Sequence, residues 1–319
     1  MLPAKLAIVI PCHNEVGIIE SSVVKLSALL NKMIDDRLIV AESGIICIDD
    51  GSKDGTWNLI EQLSEDNPHL KGVKLSRNFG QQNALLAGLS VAVNEYDVMV
   101  TLDSDLQDDI TVIAEMLAAY VAGSEIVYGV RRSRGNDGVF KRLTARLFYN
   151  MVSSSNHDII PEHADFRLMS AKAVNCLLEF PERNLFLRGL VPLLGLNSDV
   201  VYYDRLPRIG GESKYSLIRM LGLAVEGITS SSVRPIRAIF LLGVLFLIAT
   251  LSVSVYVLIS IVNGVSYPGW ASIMLSLWLI GSLILISLGI IGEYAGKIYL
   301  EVKRRPRFII EKRIGTKNK

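Results

Sequence analysis

The sequence predicts an α/β chain: a mostly parallel sheet with helices on both faces, followed by amphipathic helices and a two-helix transmembrane hairpin. Three observations lead there. Apolar runs alternate with amphipathic segments across residues 6–131. A polar cluster follows each apolar run. The interval 238–292 contains no charged residue.

The runs LAIVI (6–10), IICI (45–48), GVKL (72–75), DVMVTL (97–102) and EIVYGV (125–130) read as strands. Most are unbroken and rich in Val and Ile, as strands covered on both faces are. Between them, segments near 16–33, 54–65, 81–94 and 110–122 carry helical periodicity. A βαβα series of this kind builds a mostly parallel sheet flanked by helices. In such sheets ligands bind beyond the carboxyl ends of the strands.

The charge-free interval holds two long apolar stretches, 238–262 and 271–292. A bilayer core of ~30 Å needs roughly 20 apolar residues in helical form. Both stretches meet that length, and the short NGVSYPGW between them makes a hairpin. Arg234 and Arg237 precede it, and residues 297–319 carry nine Lys or Arg against two Glu. Basic flanks mark the cytoplasmic side. The expected organisation is a cytoplasmic domain over 1–212, a juxtamembrane segment over 213–235, a hairpin over 236–296 and a basic cytoplasmic tail over 297–319. No secretory signal is read in MLPAKLAIVIPCHNE, whose apolar run reaches polar residues too soon. Cys12, Cys47 and Cys176 are widely spaced and form no metal-ligand pattern, as expected of core thiols in a reducing compartment. The net charge of +1 averages a mixed domain with a basic tail, and no nucleic-acid partner is expected.

The polar clusters are PCHNE (11–15), DDGSKDGT (49–56), SRNFGQQN (76–83), DSDLQDD (103–109) and RRSRG (131–135). Each alone reads as a turn. Together they meet at one sheet edge. The chain has no GxGxxG after its first strand and no GxxxxGK[ST], so a glycine-loop grip on phosphate is missing. A divalent cation held by carboxylates is the alternative, and Mg²⁺ takes one or two protein carboxylates plus phosphate oxygens. Asp103 and Asp105 suit that role, and Gln107 offers a neutral oxygen. Asp108 and Asp109 are expected to cap the helix near 110.

The motifs IPCHNE, DDGSKDGT, RNFGQQNALLAG, DSDLQD, ADFRLMS, PERNLFLRG, RIGGESKY and GIIGEYAGKIYLEVKRRPRFII resemble family 2 glycosyltransferases. More narrowly, they resemble polyprenyl-phosphate glycosyltransferases of the bactoprenol glucosyltransferase (GtrB) type, relatives of dolichol-phosphate mannose synthase. The resemblance covers nearly the whole chain. It implies a GT-A (Rossmann-like) domain, a nucleotide-diphosphate sugar as donor, UDP-glucose by default, and undecaprenyl or another polyprenyl phosphate as acceptor. UDP-N-acetylglucosamine and GDP-mannose are alternative donors. It further implies a bacterial inner membrane location, a tetramer and a functional link to a lipid-sugar flippase. By motif, Pro11, Asn14 and Glu15 border the nucleotide, and Asp49 and Asp50 contact base or ribose. Ser52, Asp103 and Ser104 complete the nucleotide-sugar set. Asp103, Asp105 and Gln107 hold Mg²⁺ or Mn²⁺, and Asp165 is the catalytic carboxylate. His13 stands where Tyr or Phe is common, and DSDLQDDI lacks the prolines that often follow this motif.

A phosphate monoester has a second pKa of about 6 and is mostly dianionic at neutral pH. Such an acceptor needs no base, so Asp165 is expected to orient the acceptor or a cationic partner, or to stabilise charge on the sugar. General-base work is the alternative. An anionic acceptor approaching a diphosphate needs cations. The candidates are Arg131, Arg142, Arg146, Arg205, Arg208 and Lys214, with Ser213 beside the last. Segments 140–151 and 215–228 place apolar residues at helical spacing, as an interfacial helix or a core helix does. Arg183 and Arg188 are expected to pair with local carboxylates or carbonyls. A processive polysaccharide synthase of the same superfamily would carry an Arg-Trp pair and more spans. A non-catalytic membrane adaptor would not need Asp103, Asp105 and Asp165.

Overall fold

The computed structural model describes residues 3–132, 163–183, 187–204 and 269–315, with isolated positions between 239 and 263. The five expected strands are present: β1 (Leu6–Cys12), β2 (Gly44–Asp49), β3 (Leu70–Leu75), β4 (Val98–Thr101) and β5 (Ile126–Arg131). So are the four helices: α1 (Ile19–Asp35), α2 (Thr56–Asp66), α3 (Gln81–Ala92) and α4 (Ile113–Val121). A 3₁₀ turn, Ile110–Val112, opens α4. Three further strands are β6 (His163–Ser170), β7 (Ser198–Tyr203) and β8 (Ile310–Ile314). The remaining helices are α5 (Ala171–Glu179), α6 (Leu187–Leu193) and α7 (Trp270–Val302).

The sheet runs β7-β5-β6-β4-β1-β2-β3-β8. β1 pairs parallel with β2 and β4, β2 with β3, and β5 with β7. β6 lies antiparallel between β4 and β5, with Thr101 opposite Arg167. That reversal puts the start of β6 at the edge where β4 ends. A residue early in β6 therefore joins the loops that follow β1, β2, β3 and β4.

Each face of the sheet is covered. Ile19, Val23, Leu26, Leu30 and Met33 of α1 recur at helical spacing and are all buried, with α2 and α4 on the same face. α3, α5 and α6 cover the other face. α3 lies so close that a Cβ on Gly88 would sit 2.5 Å from Ile48 Cδ1 and 2.6 Å from Val9 Cγ1. Ser170 caps α5 by accepting from Ala173 N at 3.0 Å.

The expected hairpin is described only in part, and the C-terminal tail differs from the sequence reading. Among the described residues one helix is long and apolar enough to cross a bilayer, through its segment Leu279–Val302. Most of the first expected span lies outside the described residues; positions 239, 243, 245, 248, 252, 255, 259 and 262 within or beside it are helical. The expected basic tail supplies a strand. α7 ends where Arg304 takes a φ of +47°, with Pro306 two residues on. The chain then returns to the sheet, and β8 pairs antiparallel with β3. Phe308 and Ile310 pack against the core on the α3 face. Alternating IEKRI reads as an edge strand only once a partner edge is known.

Candidate active site

Four loops and the start of β6 meet at the carboxyl edge. The first two are laced together. Asn14 N donates to Ser52 Oγ at 2.9 Å, and Lys53 N donates to Asn14 Oδ1 at 2.9 Å. Glu15 N donates to Thr56 Oγ1 at 2.9 Å. Asn14 has a φ of +55°, a conformation Asn tolerates better than most residues. Gly51, at φ +61°, sits where a Cβ would lie 2.3 Å from the Arg77 carbonyl carbon. No other residue fits that approach. Pro11 is buried at the end of β1.

The two aspartates of DDGS divide their work. Asp50 accepts from Phe79 N at 2.7 Å and from Gly80 N at 2.9 Å, one on each oxygen. It ties the second loop to the third rather than presenting open oxygens to a base. Asp49 Oδ1 accepts from Ser52 N at 3.3 Å, whereas its Oδ2 is buried with no hydrogen-bond partner. Burial holds the Asp49 carboxyl above its ordinary pKa. His13 Nδ1 lies 2.9 Å from Asp50 O, so its ring braces the second loop.

The fourth loop turns sharply. Leu106, buried, has a φ of +45°, a strained conformation for a branched side chain. Gln107 Nε2 donates to Asp105 Oδ2 at 2.8 Å, and Gln81 Nε2 donates to Asp103 Oδ1 at 2.8 Å. The Ser104 carbonyl accepts from Ser22 Oγ of α1 at 2.7 Å. Burial pushes the Asp103 carboxyl up to about 7, and the charges of Asp165, Asp108 and Asp105 push the same way against Arg188. The expected caps separate. Asp109 Oδ1 accepts from Thr111 N at 2.9 Å, as a cap does. Asp108 does not cap. It is buried, and its Oδ1 accepts from Tyr203 OH at 2.6 Å and Arg131 Nη2 at 3.2 Å. Two donors from β5 and β7, one of them a cation, outcompete a helix N–H.

Asp165 lies three residues into β6, its carbonyl accepting from Thr101 Oγ1. Its Oδ1 accepts from Arg167 Nη2 at 2.9 Å and Arg188 Nε at 3.2 Å, and its Oδ2 from Arg188 Nη2 at 3.2 Å. The Arg167 side chain is 2% exposed, that of Asp165 12% and that of Arg188 45%. Arg188 thus pairs as expected, though its partner is the candidate catalytic group itself. Arg131, a candidate phosphate contact, is half-buried and committed to Asp108 and Tyr203. Arg142, Arg146, Arg205, Arg208, Ser213 and Lys214 lie outside the described residues.

Among the described residues no three His, Cys, Asp or Glu side chains are grouped to hold a metal unaided. The donor set nonetheless fits a hard dication that draws further oxygens from a phosphate ligand. Asp103 is desolvated and repelled by three neighbouring carboxylates, and a cation would relieve both. The Gln107 amide nitrogen faces Asp105, an arrangement that leaves its carbonyl as the possible ligand atom.

The model for glycosyl transferase family 2 matches residues 7–178. The chain is 46% identical over 306 residues to the uncharacterized glycosyltransferase YkoT of Bacillus subtilis, covering 96% of this chain and 91% of that one. It is 36% identical over 310 residues to the SfII prophage-derived bactoprenol glucosyl transferase of Shigella flexneri, covering 97% and 98%. A mannosyltransferase from Pyrobaculum calidifontis, solved with GDP-Man and Mn²⁺, aligns over 93% of this chain and 85% of its own, with a TM-score of 0.45 and 15% identity.

Proposed function

Because the chain belongs to glycosyl transferase family 2 and is a glycosyltransferase, we propose that it moves one hexose, glucose by its likeness to bactoprenol glucosyl transferases, from a nucleotide-diphosphate sugar to a polyprenyl phosphate. The acceptor sits at the cytoplasmic face of a bacterial inner membrane. The observation that carries this reading is the clamp on Asp165. Both of its oxygens accept from guanidinium groups. A carboxylate so held is a poor proton acceptor, since protonation would break charge-assisted bonds. A hydroxyl acceptor needs a base, whereas a phosphate does not.

In this reading a lipid phosphate oxygen bonds to the anomeric carbon from the face opposite the nucleotide. The bond from that carbon to the diphosphate breaks, and the nucleoside diphosphate leaves with the electron pair. Asp165 holds Arg188 where phosphate charge gathers and faces the positive charge that develops on the sugar. Asp49, with its orphaned Oδ2, and the Asn14–Ser52 lacing frame the nucleotide. Asp103 and Asp105, with Gln107, hold Mg²⁺ or Mn²⁺, which when bound neutralises the departing diphosphate. Arg208, Ser213 and Lys214, with Arg142, Arg146 and Arg205, serve the lipid phosphate. Arg131 acts from behind, through Asp108.

α7 and the helical positions between 239 and 262 support a two-span hairpin joined to the sheet through β8, and its basic flanks support a cytoplasmic side for both ends. A tetramer and a partner flippase belong to the same reading. The experiment is a panel of UDP-glucose, UDP-N-acetylglucosamine and GDP-mannose, each radiolabelled, with undecaprenyl phosphate or undecaprenol as acceptor. Label enters the lipid fraction only with the phosphate, and EDTA abolishes it until Mg²⁺ or Mn²⁺ is restored. Equal labelling of the alcohol sinks the phosphate assignment, and full activity in EDTA sinks the metal.

A further inference from the structure

A short bond joins the last turn of α7 to the catalytic domain. Glu301 Oε1 accepts from Arg183 N at 2.6 Å, across 118 residues of sequence. The junction is buried and polar: Glu182 Oε2, Arg183 Nε and Arg307 Nε are all buried without a hydrogen-bond partner. Burial and the nearby Arg183 charge hold the Arg307 guanidinium below its ordinary pKa, against the pull of Glu182 and Glu301. The Glu301 bond therefore ties the end of α7 to a buried polar junction.

α6 begins at Leu187, and hydrogen bonds at its start lead toward the reacting centre. Leu187 N donates to Gln82 Oε1 at 3.0 Å, and Leu187 O accepts from Arg167 Nη1 at 3.3 Å. Arg188 pairs with Asp165. Gln81, beside Gln82, donates to Asp103. Arg183, bonded to the end of the apolar helix, thus lies a few residues before contacts that lead to Asp165, the candidate catalytic carboxylate, and to Asp103, a candidate metal ligand.

We propose that Glu301 is a positioning residue for sugar transfer: by fixing Arg183 it sets the start of α6, and so the place where Arg188 meets Asp165. The inference rests on the function proposed above. The active geometry then depends on how the apolar helix leaves the membrane, and transfer is coupled to seating at the bilayer. A displacement of about 1 Å at a reacting centre can cost on the order of 100-fold in rate.

The test uses the full chain in phospholipid vesicles containing undecaprenyl phosphate. Glu301→Ala removes the acceptor, and Glu301→Gln keeps an oxygen there. Glu311→Ala, which loses the exposed pair with Lys74, is the control on the same C-terminal stretch. Expected for Glu301→Ala are a kcat lower by ~10-fold or more, an unchanged donor KM, and faster amide hydrogen exchange over residues 187–193. Glu301→Gln recovers much of the rate, and Glu311→Ala leaves it unchanged. Wild-type kcat in Glu301→Ala overturns the proposal. So does a rate loss matched by an equal loss of folded protein, with exchange over 187–193 unaltered. If wild-type protein transfers no sugar, the proposed function fails, and the exchange measurement still decides whether Glu301 sets α6.

Discussion

Tyr203 donates its hydroxyl to Asp108 Oδ1 across 2.6 Å, although 95 residues separate them in sequence. The bond ties the end of β7 to the loop after β4, and Arg131 of β5 completes it at 3.2 Å. Burial raises the Tyr203 phenol pKa, and the Asp108 charge adds to it. Tyr203 also packs edge-on against Phe166, ring centroids 5.3 Å apart.

Removing either partner has unequal effects. Tyr203→Phe keeps the ring contact and leaves Asp108 its arginine, so it costs about 1 kcal/mol. Asp108→Ala takes the carboxylate from both a guanidinium and a phenol, which keep their bond to each other, at roughly 3 kcal/mol. Thermal unfolding in detergent, read at one pH, gives the order. A larger loss for Tyr203→Phe contradicts the arrangement.

Asp165 and Arg188 separate stability from activity. Asp165→Ala leaves the buried Arg167 guanidinium without its carboxylate and costs about 3 kcal/mol. Arg188→Ala, at an exposed position, costs less than ~1 kcal/mol. Both lower kcat, by on the order of 100-fold. On the proposed function the Asp165→Asn defect persists across the pH range, because the missing function is then charge rather than proton transfer. A defect that vanishes at high pH identifies Asp165 as a base.

Glu125 carries a pH-dependent share of stability. Its hydrogen bond from Ser170 Oγ, and then Lys172, hold its pKa below the ordinary value of 4.5. A depressed folded-state pKa gives stability that is present above the unfolded value and lost as pH falls through the folded one. The Tm gap between wild type and Glu125→Gln is therefore open at neutral pH and closes in acid below the folded pKa. A gap constant from pH 7 to 3 refutes this.

The C-terminal strand is part of the catalytic sheet. Ending the chain at Arg305 uncovers the β3 edge and the apolar surface under Phe308, Ile310 and Ile314, a loss of about 3 kcal/mol or more. The truncated protein is expected to aggregate in detergent by size-exclusion chromatography, whereas removing 316–319 has no effect. A monodisperse, equally stable truncation shows β8 to be dispensable.

Much of this molecule is written locally. Apolar runs such as LAIVI and IICI can pair in only a covered sheet, and α1 repeats its buried positions every three or four residues. The carboxyl-edge rule brings DDGS, RNFGQQ and DSDLQD together from the sequence pattern alone. Asp109 as a cap was legible because its partner, Thr111 N, lies two residues away. What the sequence withheld depends on distant partners. Asp108 reads like its neighbour Asp109, yet Tyr203 and Arg131 claim it. Asp50 reads like Asp49, yet the third loop takes both its oxygens. The antiparallel insertion of β6 brings Asp165 to the site, and the pairing of β8 with β3 brings Glu301 to Arg183. Periodicity and composition determine which segments form strands and helices, because those depend on near neighbours. Which buried charge meets which donor is decided by the closed sheet, where an unpaired charge costs too much to leave unmatched.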